Sequence, residues 1–224
     1  MSVIVSRLKR AAGVPLFMSR LSLLLHDRFT ATVIVLIVLC AVLFIWTSLE
    51  RPEVPTFIPT TPSATEIGTE QDARTLTVDA SDPGAWRFFD FSRGSVVEAP
   101  GPEEWDMAFR RFQIIVNGGR GMEGQGGVVS LENMTFEAVS RVPETGYVGS
   151  ERNDSVNSVL EDWYNYSFTS HVLEPKPTVY ALRTADGRYA KIEILGYYCI
   201  GALPGCTTFR YVYQGGGGTD VVSK

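Results

Sequence analysis

The chain has 224 residues, of which 45% are hydrophobic and 20% are charged, and its formal net charge is −5 at pH 7. An acidic chain lacks the basic surface on which nucleic-acid binding depends, so this balance argues against a nucleic-acid partner. The length allows a membrane segment in addition to one folded domain of about 145 residues.

Residues 1–28 form a short N-terminal arm in which several leucines and Phe17 alternate with Arg20 and Arg28. This pattern is typical of an amphipathic segment that lies on the cytoplasmic leaflet of a membrane. A helix that simply extends the next segment, and packs on nothing, explains the same residues. The sequence leaves both interpretations of the arm open.

Residues 29–49 run without a charge for about twenty residues, the length that an α-helix needs to cross a bilayer. A secretory signal peptide is the alternative, but its apolar region is usually shorter, and no small-residue cleavage site follows here. Basic residues dominate the preceding arm, which places the N-terminus in the cytoplasm by the positive-inside rule. The sequence therefore predicts a single-pass membrane protein whose C-terminal part lies outside the cytoplasm.

Residues 50–73 contain four prolines and few aromatic residues, namely Pro52, Pro55, Pro59 and Pro62. Proline blocks continuation of the helix and favours extended chain, so this segment is predicted to be a Pro-rich extended linker. At the other end of the chain, residues 215–224 begin with a run of glycines and are predicted to be a Gly-rich tail.

Residues 74–214 are predicted to form a mainly β domain, because short runs rich in Val, Ile, Thr and aromatics alternate with turn residues. In residues 189–195 the alternation places Tyr189, Lys191, Glu193 and Leu195 on the face opposite Ala190, Ile192 and Ile194. The dipeptide at 186–187, Asp-Gly, predicts a two-residue type I′ turn. We expect residues 180–184 to pair with residues 188–195.

One short helix is predicted within residues 150–167, where the polar run SERNDSVNSVLEDWYNYS interrupts the β pattern. Asp154 or Ser155 would cap its N-terminus, and it would end before Tyr164.

Two of the three cysteines, Cys199 and Cys206, frame the turn CIGALPGC between two predicted strands. In an oxidising compartment such a pair is a disulfide candidate, and two free buried thiols are the alternative. Cys40 lies in the apolar segment, where it is most simply a small apolar residue.

The sequence contains no recognisable pattern of catalytic residues, so no enzyme activity and no catalytic residue are expected. Gly119, Gly121 and Gly124 match G-x-G-x-x-G, but a strand pattern follows them instead of the helix that dinucleotide binding requires. The domain has a single histidine, His171, and a zinc site would need more His and Cys residues than it offers. No metal site is expected.

Several blocks of the domain, in order, resemble the HmuY-like family of bacterial haem-binding proteins. They are WRFFDF at 86–91, WDMAF at 105–109 leading into the Gly-rich loop, WYNY at 163–166, and the closing strands YALRTADGRYAKIEILGYY and TTFRYVYQ. The resemblance covers about residues 74–214. It implies a mostly β, sandwich-like domain and a role in haem capture for iron acquisition. Because the family is bacterial, it also implies that the apolar helix lies in a bacterial inner membrane and that the C-terminal domain is periplasmic.

Members of that family hold haem through two axial side chains, His in some proteins and Met in others. The resemblance therefore makes His171, Met122 and Met134 the haem-ligand candidates, whereas Met107 lies in the WDMAF strand and is expected in the core. A His171–Met122 pair is chemically suited to axial ligation. The residues alone indicate no cofactor, and haem is the one that the resemblance implies.

Two functions follow. The favoured hypothesis is a single-pass accessory or structural subunit that reuses the HmuY-like domain in a larger membrane complex, for example a photosynthetic reaction-centre and light-harvesting assembly. Its partners would be the lipid bilayer and other membrane protein subunits, with the apolar helix packing on neighbouring helices. The alternative is a membrane-tethered haem-binding protein that captures haem for iron acquisition.

Overall fold

The computed structural model of the protein describes residues 28–49, 53–62, 72–151, 153 and 156–222. The chain divides into two compact units, Met1–Arg51 and Pro52–Lys224. The predicted N-terminal arm, apart from Arg28, lies outside the described residues.

The described part of the first unit is helix α1 (Arg28–Leu49), whose 22 residues carry no charge after Arg28 and bury no side chain. Its length and composition suit a membrane span, although a signal sequence near an N-terminus has the same properties. Two threonines donate their hydroxyls to backbone carbonyls one turn earlier, Thr32 to Arg28 and Thr47 to Leu43. Polar groups in a bilayer need such partners within the segment.

The second unit is mainly β, as the sequence predicts. Its described residues hold twelve strands: β1 (Thr56–Phe57), β2 (Arg74–Asp79), β3 (Arg87–Asp90), β4 (Ser95–Val97), β5 (Met107–Arg110), β6 (Gln113–Val116), β7 (Gly127–Leu131), β8 (Tyr164–Tyr166), β9 (Leu173–Pro175), β10 (Val179–Arg183), β11 (Tyr189–Cys199) and β12 (Leu203–Gln214).

The strands form three sheets. The largest, sheet A, has the order β2-β12-β11-β10-β7, and β1 joins it by parallel pairing with β11. Sheet B has the order β4-β3-β5-β6, and β8 and β9 form a separate two-stranded hairpin. Except for β1, all strand pairs are antiparallel, and short connections join the pairs that are consecutive in sequence.

Aromatic side chains fill the space between sheets A and B. Phe89 and Phe109 of sheet B meet Phe209 of β12 with ring centroids 5.3 and 5.5 Å apart, the first pair edge-on and the second stacked. Phe91 packs edge-on against Tyr211 at 5.2 Å. Such pairs add about 0.5–1.5 kcal/mol each beyond the area that they bury. Met107 is fully buried in the same core.

The opposite face of sheet A is also covered, by a second cluster that includes Phe136, Val139, Val142 and Val221. Val221 belongs to the predicted Gly-rich tail, and it is fully buried. The alternation expected for residues 189–195 is present. Lys191 points to the face that this second cluster covers, and it is therefore only 1% exposed. Its ammonium donates to the Phe136 and Val139 carbonyls, both at 2.8 Å, because the 135–139 turn lies over it.

The β10–β11 hairpin confirms the predicted pairing but not the predicted turn type. Arg183 pairs with Tyr189, and the chain turns through residues 184–188. Of the two central residues, only Gly187 has a positive φ, at 82°. A type I′ turn needs positive φ at both positions, whereas a longer turn with one left-handed glycine needs it once. The Thr184 hydroxyl accepts the Arg188 N–H at 2.8 Å and stabilises the longer turn.

The short helix expected near residue 155 is not observed in the described part of that segment. Asp154 and Ser155 lie outside the described residues, and residues 156–163 form bends and turns. The side chain of Asn157 accepts the Val159 N–H at 2.9 Å and donates to the Val148 carbonyl at 3.1 Å. Local bonds of this kind compete with helical hydrogen bonds, which explains the difference.

Cys199 and Cys206 are joined by a disulfide that links the ends of β11 and β12 across the turn between them. Next to it, part of the predicted linker contacts the domain. Residues 53–62, here called the strap, contribute β1, which pairs with Tyr198 and Cys199. Further along the strap, the Thr60 N–H donates to the Thr77 carbonyl at 2.9 Å.

The strap can pack against sheet A because residue 196 is a glycine. A Cβ atom at this position would lie 2.2 Å from the Phe57 ring, a distance that no packing tolerates. We expect Gly196→Ala to displace Phe57 and destabilise the domain by about 1–3 kcal/mol. Limited proteolysis with a protease of low specificity should then cut within residues 53–62.

Gly218→Ala is the matched control, since its Cβ would meet only the Gln214 side chain at 3.9 Å. Equal protection of the strap in the Gly196→Ala variant and in the wild type would show that Phe57 does not depend on this glycine.

Asp106 connects the two sheets. Its carboxylate accepts the N–H of Phe91, beside sheet B, and the N–H of Ala185, in the β10–β11 turn, both at 2.8 Å. The residue is buried, and this burial raises the pKa of its carboxyl to about 7, although the two N–H bonds oppose the shift.

A raised carboxyl pKa makes stability fall as pH rises. Between pH 4 and 7 the folded chain keeps a proton on Asp106 that the unfolded chain releases, so this residue costs up to about 4 kcal/mol at pH 7. Urea unfolding across this range should show the free energy of unfolding of the wild type falling relative to Asp106→Asn.

The exposed Glu144 supplies the control for this experiment as Glu144→Gln, which should leave the pH profile unchanged. If the difference between wild type and Asp106→Asn does not vary with pH, the two N–H bonds keep the carboxylate ionised throughout.

Candidate functional site

Met122 and Met134 lie on different connections of the domain. Met122 is half-buried in the Gly-rich loop between β6 and β7, and its N–H donates to the Gly119 carbonyl at 3.2 Å. Met134 follows β7 and is 42% exposed. The preceding residue, Asn133, has a φ of 60°, which asparagine tolerates better than most residues. The thioether of Met134 is therefore the more accessible of the two.

Met134 borders an open cavity of about 750 Å³. Its walls include Asp162, Lys176, Thr178 and Tyr180, so that an ammonium, a carboxylate and hydroxyls face an apolar thioether. Burial raises the pKa of Tyr180, which keeps its phenol neutral. The ammonium of Lys176 lies 2.6 Å from the Asp162 carboxylate. A bound carboxylate would compete with Asp162 for this ammonium.

The β8–β9 hairpin begins at this cavity. Trp163, just before β8, is fully buried and donates its indole N–H to the Phe112 carbonyl at 2.9 Å. Its own carbonyl accepts the Lys176 N–H at 2.9 Å, and Tyr198 of sheet A accepts the Leu173 N–H through its hydroxyl at 2.9 Å. The base of the hairpin is thus fixed to the core, while its far end extends into solvent.

The far end, here called the tip (residues 166–172), carries the third ligand candidate. His171 is exposed, has a φ of 56°, and donates its N–H to the Ser167 carbonyl at 2.8 Å. Ser167 in turn donates its N–H to Val172 at 2.8 Å and accepts the Ser170 hydroxyl at 2.7 Å. These bonds give a short exposed loop a defined backbone.

At the tip the rings of Tyr166, Phe168 and His171 lie next to one another. The Tyr166 hydroxyl forms a hydrogen bond with Nδ1 of His171, and their ring centroids are 5.9 Å apart. Phe168 packs at 6.5 Å from Tyr166 and 6.3 Å from His171, yet it is 83% exposed. Together the three rings form an exposed cluster at the far end of the hairpin.

The structure does not bring the three candidates into one pocket. The cavity is lined by Met134 and by the base of the hairpin, and neither Met122 nor His171 lines it. Tyr166 was not predicted as a site residue. The signal was present, since YNY at 164–166 is a short aromatic strand with alternating faces, but its exposure depends on the hairpin having no sheet beside it.

A metal site does not emerge from the described residues. Their one cluster of three potential ligands comprises Asp79, Cys199 and Cys206. The two sulfurs are bonded to each other, so they offer no thiolate pair to a metal ion.

A family model described as HmuY protein matches residues 83–211, which is more than half of the chain and includes all of sheet B and strands β7, β10, β11 and most of β12 of sheet A. The chain belongs to the HmuY family. HmuY-like proteins bind haem, as the resemblance of the sequence blocks implied. No curated protein matches this sequence.

Solved structures with the HmuY fold are similar to this chain. A proposed lipoprotein from Bacteroides fragilis shares 22% identity with a TM-score of 0.54, covering 70% of this chain and 98% of its own. An HmuY-like protein from Bacteroides vulgatus, described as haem-binding, shares 21% identity with a TM-score of 0.53 and the same coverage. An apo HmuY analogue from Tannerella forsythia shares 18% identity with a TM-score of 0.51, covering 63% and 95%. At these identities the likeness shows the fold.

Proposed function

We propose that this HmuY family member is a membrane-associated haem-binding protein that captures haem outside the cell's inner membrane. The observation that carries the proposal is the family match over residues 83–211. It is supported by a solved structure of the same fold that is described as haem-binding. Haem capture thus replaces the accessory subunit as the favoured function, because none of the similar proteins above is described as part of a photosynthetic assembly.

The membrane part of the proposal rests on α1. We propose that it anchors the protein, with the N-terminus in the cytoplasm and the β domain in the periplasm, because five basic residues lie at or before its first position and only Arg51 follows it closely. The similar protein from Bacteroides fragilis is described as a proposed lipoprotein, which also places a member of this fold at a membrane. In our proposal the periplasmic unit is larger than the predicted domain of residues 74–214, because it includes the strap and the buried Val221 of the predicted tail.

The residues present suit haem better at the β8–β9 hairpin than elsewhere in the described chain. Haem iron needs a nitrogen, sulfur or oxygen ligand that reaches the surface, and its carboxylates need a cation. The hairpin tip presents His171 beside exposed aromatic rings, and its base presents Lys176 next to the accessible thioether of Met134. Met122 is the less accessible candidate.

Haemin titration of the full-length protein in detergent micelles tests this proposal. The wild type should bind one haemin with a shifted Soret band. His171→Ala should weaken binding at least tenfold, because the tip loses its nitrogen, and Met134→Leu should weaken it severalfold.

Met122→Leu is the matched control, since it removes a sulfur from the half-buried loop and should leave the affinity unchanged. A wild-type spectrum identical to that of haemin in empty micelles would refute haem binding by this chain. If binding is lost in Met122→Leu and kept in Met134→Leu, the sulfur ligand lies in the Gly-rich loop.

A further inference from the structure

Three exposed aliphatic side chains lie side by side where the strap meets the β11–β12 turn. Ile58, Ile200 and Leu203, here called the apolar end, are 73%, 59% and 63% exposed. The strand register brings them together, because Phe57 and Leu203 both pair with Cys199, and Ile58 and Ile200 are the next residues of their segments. Single exposed aliphatic residues are common on protein surfaces, whereas a contiguous group is typical of a contact surface.

The chain segments that form the apolar end carry no charge. No acidic or basic residue occurs in residues 54–62 or in residues 194–209. Two side chains of opposite sign border the turn. The Arg111 guanidinium donates to the Pro204 carbonyl at 2.9 Å, and the Asp79 carboxylate lies beside the two disulfide sulfurs. Because these two charges offset each other, attraction to this surface depends on apolar contact.

The turn is held in a shape that presents its side chains outward. The disulfide between Cys199 and Cys206 closes it, and Gly201 and Ala202 at its apex both have a positive φ, at 79° and 58°. A Cβ atom at Gly201 would meet nothing within 4 Å beyond its chain neighbours, so the apex projects from the domain. A group that is already ordered loses little conformational entropy when it binds.

We propose that the apolar end is a membrane-contact surface, which inserts its three side chains into the periplasmic interface of the bilayer that α1 spans. The partner is the boundary between lipid headgroups and acyl chains, where exposed aliphatic side chains of membrane-bound proteins are buried. The inference rests on the proposed function through the anchoring by α1, and it does not depend on haem. It gives the domain a second point of attachment to the membrane.

The short covalent connection to α1 supports lipid as the occupant of this surface. Only residues 50–52 separate the end of α1 from the strap, and Ile58 follows Leu49 by nine positions. An extended chain of nine residues covers at most roughly 30 Å. A tether of this length keeps the apolar end at a local concentration on the order of millimolar, so that even a weak preference for lipid holds it at the surface.

A second copy of the chain fits the apolar end less well than lipid does. A stable protein interface uses about 20–30 residues on each side, of which the apolar end supplies three. Insertion into a bilayer has no such requirement, because each aliphatic side chain that enters the lipid contributes separately.

The test uses methyl NMR of the full-length protein in phosphatidylcholine nanodiscs that hold one copy each. Part of the lipid carries a nitroxide near its headgroup, which broadens the signals of nearby methyl groups. The methyl signals of Ile58, Ile200 and Leu203 should lose most of their intensity, because these side chains lie among the lipids. The broadening should persist in about 0.5 M sodium chloride, since salt screens charges and leaves apolar contact intact.

Val148 is the matched control, an aliphatic residue that is 40% exposed. It pairs with Val128, which aligns through Leu182 with Ala190 near the other end of β11. The ten residues from there to the turn span roughly 30 Å. The methyl signals of Val148 should therefore keep their intensity.

A triple variant tests whether the apolar end holds the domain at the membrane. In Ile58→Ser/Ile200→Ser/Leu203→Ser the domain should be released to tumble on its tether, so that the methyl signal of the buried Ile192 narrows by about half. Val148→Ser should leave this linewidth unchanged. Urea unfolding checks that both variants keep the fold, which is expected because the replaced side chains are exposed.

The outcomes distinguish this inference from the proposed function. If alkaline washing removes the full-length protein from proteoliposomes, the anchoring by α1 is refuted and this inference with it. If the protein stays anchored and the signals of the apolar end resemble those of Val148, the anchor stands and the membrane-contact surface is overturned. Broadening that disappears at high salt would also overturn it, because charge and not apolar contact would then hold the domain. Haemin titration tests the haem-binding part of the proposed function separately.

Discussion

The fold depends on covering both faces of the β11–β12 hairpin. These strands are the longest in the described chain, at 11 and 12 residues, and most of their positions are buried. A sheet with two buried faces needs a layer on each side. Sheet B supplies one layer through its phenylalanines, and the segment around Phe136 with Val221 supplies the other. The domain is therefore three layers thick at its centre.

Packing on both faces buries polar groups, and the backbone satisfies them. Burying the ammonium of Lys191 beneath the turn around Phe136 would cost free energy without the two backbone carbonyls that accept its hydrogen bonds. Asp106 is satisfied by the backbone in the converse way, since two backbone N–H groups donate to its carboxyl oxygens. Each of these side chains joins elements that are distant in sequence. They contribute to the choice of one arrangement of layers, which apolar packing alone does not fix.

The sequence predicted the features that arise from local pattern. The alternation in β11, the β10–β11 pairing and the mainly β class follow from side-chain period and turn residues, and the structure has all three. It did not predict the longer turn through residues 184–188, because that choice depends on the Thr184 hydroxyl. Nor did it predict the pairing of β1 with β11. That contact requires Gly196 to leave room for Phe57, a relation between residues 139 positions apart that no local pattern carries.

The candidate site was predictable only as a set of residue types. His171 and Met134 stand out in a sequence with few histidines and methionines, but their separation in space depends on how the β8–β9 hairpin leaves the core. Trp163 and Tyr198 fix the base of this hairpin, and of the tip only Val172 belongs to a buried cluster. Substitutions at the exposed positions of the tip therefore cost little stability. The core restricts the sequence at its aromatic positions, whereas the exposed positions of the tip are free to vary, so membership of the HmuY family fixes the fold more firmly than it fixes the residues of the candidate site.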